Sequence, residues 1–372
     1  MSPSYAVADY WLAYLFREKD PAKSRQHLQR ALDAAPNLVF PYRLETLPVL
    51  RWAGGQAEHW KTTYYLALVL WNIGRLDEAK SLFAELSNVP DWSPFYLARA
   101  KLLTAENDGE KILADIQRAV DLDKTNWRAW RALTDFYEKN GRLDLAMKTS
   151  KTVYDLYPEK SALAMDYAKA LFYSGDFEGC LNVLERTTVL PYEGGWEGHD
   201  LFRRANLFGA AEALKRGSHK RAVLFADKAK MWPEHLGVGK PYAVDERLEN
   251  YLLALAAEKA GNRKEAKKYL EAVAADTQKF RAGWSSEHFV SALAMKKLGR
   301  EDEAVQLLNN WRKESGEADA VAGWAIAKLA DDESAAAQAL AGLKAGPGSA
   351  RWDLGTGDRY FPLVLKIADL TR

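Results

Sequence analysis

The sequence predicts an all-α fold of stacked helix-turn-helix units. Three observations predict it: a period of 34 residues, a glycine closing the first helix of most units, and an alternation of small and bulky side chains along the helices. The clearest copy is Trp127 to Lys160, where Trp130, Leu133, Tyr137, Gly141, Ala146, Val153 and Pro158 fall at fixed offsets. One such unit leaves an apolar face uncovered, so copies must stack into a solenoid with a surface open for binding. That architecture points to a binding scaffold more than to an enzyme.

The units follow in chain order. Met1 to Phe16 is apolar but carries Asp9 and lacks a basic start, so it reads as the first unit's helix and not as a signal peptide. Trp60 to Ser93 holds Thr63, Leu66, Ala67, Leu70, Gly74, Ala79 and Phe83 at the repeat offsets, and Ser161 to Gly194 holds Ala164, Tyr167, Ala168, Leu171, Gly175, Cys180 and Leu184. Weaker copies begin near Tyr5, Ser93, Arg203, Arg247 and Ser285, for about eight in all. Gly74, Gly141, Gly175, Gly217, Gly261 and Gly299 each end a helical stretch, where a positive φ is cheap for glycine. Alanine, or Cys180 once, stands where two helices cross, and aromatic residues fill the flanking holes. Ala320 to Leu343 is alanine-rich and helical. After the break at Lys344 to Ser349, an amphipathic helix over Tyr360 to Leu370 is expected to close the last apolar face through Phe361, Leu363, Val364, Leu365 and Ile367.

These residues resemble the tetratricopeptide repeat family, whose pattern sets a Trp, a Leu-Gly-like pair and a Tyr on the first helix, then Ala, Phe, Ala and a closing Pro. The resemblance implies a right-handed α-α superhelix of about eight repeats with irregular insertions and a C-terminal cap. It implies one solenoid over 1–372, with N-terminal repeats over 1–194, repeats with long insertions over 195–316 and C-terminal capping helices over 317–372. It also implies a concave groove lined by exposed offsets of each first helix. These are Lys61, Tyr64, Leu68 and Trp71, then Arg128, Arg131, Asp135 and Glu138, then Met165, Lys169 and Phe172, then Tyr251 and Glu258. A protein or peptide segment is the implied partner. The Lys-and-Asn clamp by which some members hold a C-terminal carboxylate is missing. The spans Trp60 to Arg99 and Trp232 to Leu252 more loosely resemble the C-terminal repeat region of large bacterial proteins with a β-rich, sugar-enzyme-like front domain. That resemblance implies a stand-alone relative or a fragment serving carbohydrate metabolism.

Three stretches break the period, at 37–59, 190–200 and 231–246. The first looks like an unpaired helix between repeats. The other two bring Tyr192, Trp196, Trp232 and Tyr242 together with His199, His235 and several carboxylates, including Glu193, Glu197, Asp200, Glu234, Asp245 and Glu246. Aromatic faces beside carboxylates suit a carbohydrate, the alternative ligand class. More often, such residues pin long loops to a scaffold.

Composition excludes several classes. With 52 basic and 51 acidic side chains in 372 residues, no basic excess points to nucleic acid. No run approaches the roughly 20 apolar residues of a membrane span. The one cysteine, Cys180, excludes an internal disulfide and fits a cytoplasmic chain, or a periplasmic one if the chain is a processed or truncated fragment. His27, His59, His199, His219, His235 and His288 show no metal-ligand spacing. No zinc, phosphate-loop or nucleophile-elbow motif is present, so no cofactor, no metal and no catalytic residue is expected. The basic run Lys215 to Arg221 reads as a solvated face.

Overall fold

The structure is a computed structural model and describes residues 5–103, 108–191, 195–280, 283–343 and 356–371; among them the regular elements are helices and no strand occurs. Two compact units form, Met1–Leu133 and Thr134–Arg372, with the division inside α8. The first holds α1 (Ala6–Phe16), α2 (Pro21–Asp33), α3 (Thr46–Gln56), α4 (Trp60–Asn72), α5 (Leu76–Leu86), α6 (Ser93–Leu103), α7 (Gly109–Leu122) and the start of α8 (Trp127–Lys139). The second continues with α9 (Leu143–Leu156), α10 (Ser161–Ser174), α11 (Phe177–Glu185), α12 (Glu197–Lys215), α13 (His219–Ala229), α14 (Arg247–Lys259) and α15 (Arg263–Lys279). It ends with α16 (Glu287–Lys297), α17 (Glu301–Ser315), α18 (Ala320–Leu329), α19 (Glu333–Leu340) and α20 (Phe361–Leu370).

One hydrogen-bonded turn recurs and produces the helix pairs. At the end of α10, Gly175 adopts φ 87°, and the Asp176 N–H, two residues past the helix, donates back to the Leu171 carbonyl at 2.9 Å. This is the six-to-one bond that satisfies a carbonyl the helix leaves open. The same residue starts the next helix, since the Asp176 carboxylate accepts from the Gly179 N–H at 2.8 Å. The six-to-one bond repeats from Arg75 to Leu70, Arg142 to Tyr137, Ser218 to Ala213, Asn262 to Ala257 and Arg300 to Met295.

It repeats once more where no glycine announces it: Asp331 adopts φ 58° and the Asp332 N–H donates to the Ala327 carbonyl at 2.9 Å. α18 and α19 therefore form another helix-turn-helix pair, placed within the stretch expected to be a cap. An aspartate can hold this left-handed turn because its short polar side chain lowers the cost.

The small-large alternation shows in the packing. In the first unit Tyr64 lies among Tyr65, Phe83, Trp92 and Phe95, with ring centroids 5.5–5.9 Å away. In the second, Phe172, Phe177 and Phe208 form one aromatic cluster, and Cys180 is fully buried, its thiol pushed up to about 12 by burial. The second unit departs from expectation at its last helix. α20 does not simply close the end of the stack; it packs across α12 and α16, the first helices of the pairs on either side of the α14–α15 pair.

Gly209 on α12 tests the packing rule. A Cβ there would sit 3.1 Å from the Phe225 ring of α13. Gly209→Val should lower the unfolding free energy by about 1–3 kcal/mol in urea titrations, because the ring cannot recede without opening the pair. No change in the midpoint would refute close packing at this crossing.

Candidate functional site

In the second unit the first helices of successive pairs, α10, α12, α14, α16 and α18, lie side by side and form one face. Charged residues enter this face from helices that are otherwise apolar. α14 is the extreme case, buried from Arg247 through Ala257 yet carrying Arg247 and Glu249. Such charges persist only where partners replace water.

Arg203 is the hub. Its guanidinium donates to both Glu249 carboxylate oxygens at 2.6 and 2.9 Å, to the Asp245 carbonyl at 2.6 Å and to the Tyr360 hydroxyl at 3.1 Å. It also lies 5.1 Å from the Tyr360 ring centroid. Burial pulls the Arg203 pKa down, but Glu249 and Tyr360 more than offset this and hold it well above the usual value. Beside it Arg247 donates to Asp245 at 2.6 Å and to the Ser291 hydroxyl at 3.3 Å. Burial raises the Asp245 carboxyl, but hydrogen bonding from Arg247 wins and leaves it lowered.

Toward α10 the face opens. Asp200 pairs with Arg204 at 3.0 Å and with Arg359 at 3.1 Å. Lys169, about one-fifth exposed, pairs with Glu197. Glu138 from α8 comes near Lys169, Asp135 and Asp166, and burial pushes its carboxyl up to about 7, with Lys169 opposing and the two aspartates adding to the rise. The result is a half-buried strip of mixed charge across α8, α10 and α12.

The residues expected from sequence divide three ways. Tyr64, Phe172 and Tyr251 are buried, at 2%, 0% and 0% exposure, so they belong to the core and not to an open groove lining. The repeat offset fixes the face of a helix, but neighbouring elements fix how deep that face lies. Trp71 is half-buried with its edge toward Phe83, Arg128 is exposed over the Trp127 ring, and Arg131 is exposed; none of the three lies in the second unit. Asp135, exposed and paired with Lys139 at 2.8 Å, and Lys169 both lie in the charged strip.

The second and third period-breaking stretches do meet. The Val189 N–H donates to the His235 carbonyl at 2.8 Å, and His235 Nε2 donates to the Leu184 carbonyl at 3.2 Å. His199 is not in a loop: it sits in the first turn of α12, 4% exposed, with Trp232 stacked on it at 3.5 Å and Trp196 edge-on to Trp232 at 6.1 Å. Burial lowers the His199 pKa. Trp196 is half-exposed and Tyr242 fully exposed. Tyr192 and Glu193 lie outside the described residues. Trp232 is used up in pinning the loop to α12, so among the described residues its face is not free for a sugar.

Sequence reasoning did not single out Arg203, Arg204, Arg247, Glu249 or Tyr360 as site residues. A signal for two of them was present: an arginine and a glutamate inside the apolar run Arg247 to Ala257. Among the described residues no group of three or more His, Cys, Asp or Glu is placed to hold a metal ion. No described helix is long and apolar enough to cross a membrane.

Fold and face together define a helical repeat protein built on stacked helix-turn-helix units. The family model of the tetratricopeptide repeat matches residues 250–276, within α14 and α15. No curated protein matches the sequence. Among solved structures the chain is similar to the MamA protein at 16% identity, over 52% of this chain and 97% of that one, with a TM-score of 0.38. It is also similar to the C-terminal part of a TPR repeat-containing protein from Cytophaga hutchinsonii at 14% identity, over 62% and 89%, with a TM-score of 0.47. Yeast Tom70 is similar at 15% identity, over 82% and 60%, with a TM-score of 0.35. None of these likenesses bears on function.

Two outcomes follow from the electrostatics. Glu249→Ala, which strands the buried Arg203 charge, should cost about 3–5 kcal/mol, whereas Arg203→Met with Glu249→Leu should recover most of it, as read by denaturant titration of both variants. Equal losses in the two would deny the pair its buried character. For Glu138 the folded state binds its proton more tightly than the unfolded chain. Its contribution to stability is therefore complete below the ordinary 4.5 and is lost as pH rises through about 7. Melting temperatures from pH 5 to 8 should fall with rising pH more steeply for the native chain than for Glu138→Gln; parallel curves would contradict the shift.

Proposed function

We propose that this chain is a non-catalytic protein-interaction scaffold. In this reading the charged strip of the second unit, from Asp135 and Glu138 through Asp166 and Lys169 to Glu197, Asp200 and Arg204, holds a segment of another protein. The observation that carries it is the mixed-charge character of this strip on a face of first helices, with Lys169 and Glu197 about 21% and 54% exposed. The neighbouring part of the face is covered by α20. The match of residues 250–276 to an interaction repeat supports the class, and the charge pattern supports the site.

Mixed charge suits an extended peptide carrying both signs, since alternating complements reward one register and penalise others. Each partly exposed pair contributes little by itself, roughly 0–1 kcal/mol, so recognition must come from several acting together. The strip lacks the poised nucleophile-base geometry that catalysis needs, and Glu138, though titrating near neutrality, has acidic neighbours and Lys169 around it.

A peptide array of charged segments probed with the purified chain tests this reading. Lys169→Glu combined with Arg204→Glu should weaken the best binders at least tenfold, whereas Trp196→Ala should leave them unchanged. Binding that survives the double reversal but is lost with Trp196 would move the site to the aromatic loops and end the proposal.

A further inference from the structure

We propose that the face spanning α12, α14 and α16 is a docking groove for an amphipathic helix of a partner protein, and that α20 is its exchangeable resident occupant. This rests on the scaffold reading but not on peptide binding by the charged strip, which lies beside it and shares Asp200.

α20 is held as a ligand is held. Residues 341–360 separate it from α19, and it packs on α12 and α16. Phe361, Leu363, Val364 and Ile367 are fully buried, and the Phe361 ring meets Trp324 at 5.2 Å and 82°. Polar anchors fix it at both ends. At the start, Arg203 donates to the Tyr360 hydroxyl, Arg359 pairs with Asp200, and the Asp358 carboxylate accepts from the Ser286 N–H at 2.8 Å. Near the end, Lys366 Nζ donates to Glu212 at 2.7 Å. Apolar stripe and charged ends together specify both register and direction.

The fit is incomplete, and this says what a partner would look like. An open pocket of about 310 Å³ lies beside Ala368 and Thr371, lined by Tyr251, Phe289 and Leu293 and by the charged Lys296, Lys297, Lys328, Asp331 and Glu333. A second, of about 390 Å³, lies where Lys366 crosses the turn of α10 and α11 and the helices α12 and α13. Alanine at 368 leaves room that a larger side chain would fill. The groove therefore fits a helix with a tyrosine and an aromatic residue in sequence, apolar residues two, three and six positions later, a base at five, and at seven a side chain bulkier than alanine. A longer side chain there would bury its apolar stem against Phe289 and Leu293 with its end among the charged residues, a contact the resident alanine does not make.

The test keeps the whole chain and varies the peptide. A specific protease sequence is placed at Gly346 to Ser349, the chain is cut, and a fluorescent peptide of residues 356–371 is added before and after cutting. The uncut chain should not bind at micromolar peptide and the cut chain should. Among competitors, Tyr360→Phe and Lys366→Ala peptides should each displace the probe at least threefold less well, and the Ala368→Leu peptide at least threefold better. If the cut helix stays bound without exchange for a day, or if its departure abolishes cooperative unfolding followed by circular dichroism, α20 is a fixed part of the core and the proposal fails. Exchange only between whole chains, with doubling of mass in sizing, would assign the groove to a second copy and overturn the partner reading. Lys169→Glu should leave peptide binding unchanged, which separates this result from the fate of the charged strip.

Discussion

A helix pair buries only the seam between its two helices, and every other contact in this protein follows from the faces that seam leaves over. The recurring turn sets the geometry: a left-handed residue, a six-to-one bond and a cap for the next helix bring each second helix back onto the first. Small residues such as Cys180 and Gly209 let the helices approach, and rings such as Phe225 close the gap. A pair so formed presents apolar surface to the next, so stacking is imposed by the hydrophobic effect and not by any one contact.

The Arg203 cluster is of a different kind. Desolvating a guanidinium and a carboxylate is costly, and the 2.6 and 2.9 Å bonds to Glu249 do little more than offset it. Their consequence is specificity. One arginine joins α12 to α14 through Glu249, to the loop before α14 through the Asp245 carbonyl, and to the residue before α20 through Tyr360. An apolar face alone would let a helix slide by one turn. A hydroxyl that must meet Arg203, with a lysine that must meet Glu212, leaves a single register.

Much of the fold was legible because its causes are local. The glycines at 74, 141, 175, 217, 261 and 299 all take positive φ, as their place after a helix demanded. Cys180 stands buried where the pattern asks for a small residue. The α18 to α19 pair escaped notice because Asp331 does a glycine's work and leaves no compositional mark. The site was less legible, since depth is not local. Tyr64, Phe172 and Tyr251 occupy offsets expected to line a groove, yet they are buried, Tyr64 against Phe83 and Phe95 and Phe172 against Phe177 and Phe208 of neighbouring helices. Tyr360 is the sharpest case. Its partners Asp200 and Arg203 lie some 160 residues earlier, and no spacing rule connects them.

The two kinds of first-helix surface in the second unit answer to different physics. Around Lys169 and Glu197 the charges are only partly buried, so a ligand there exchanges one set of hydrogen bonds for another and gains mainly discrimination. Under α20 the surface is apolar between charged ends, so an occupant gains burial first and register second. A face that was apolar throughout would need permanent cover, and one that was charged throughout would need none. Placing an apolar stretch between polar anchors gives the cover a defined orientation, and pockets of mixed apolar and charged lining lie beside it at Ala368 and Lys366.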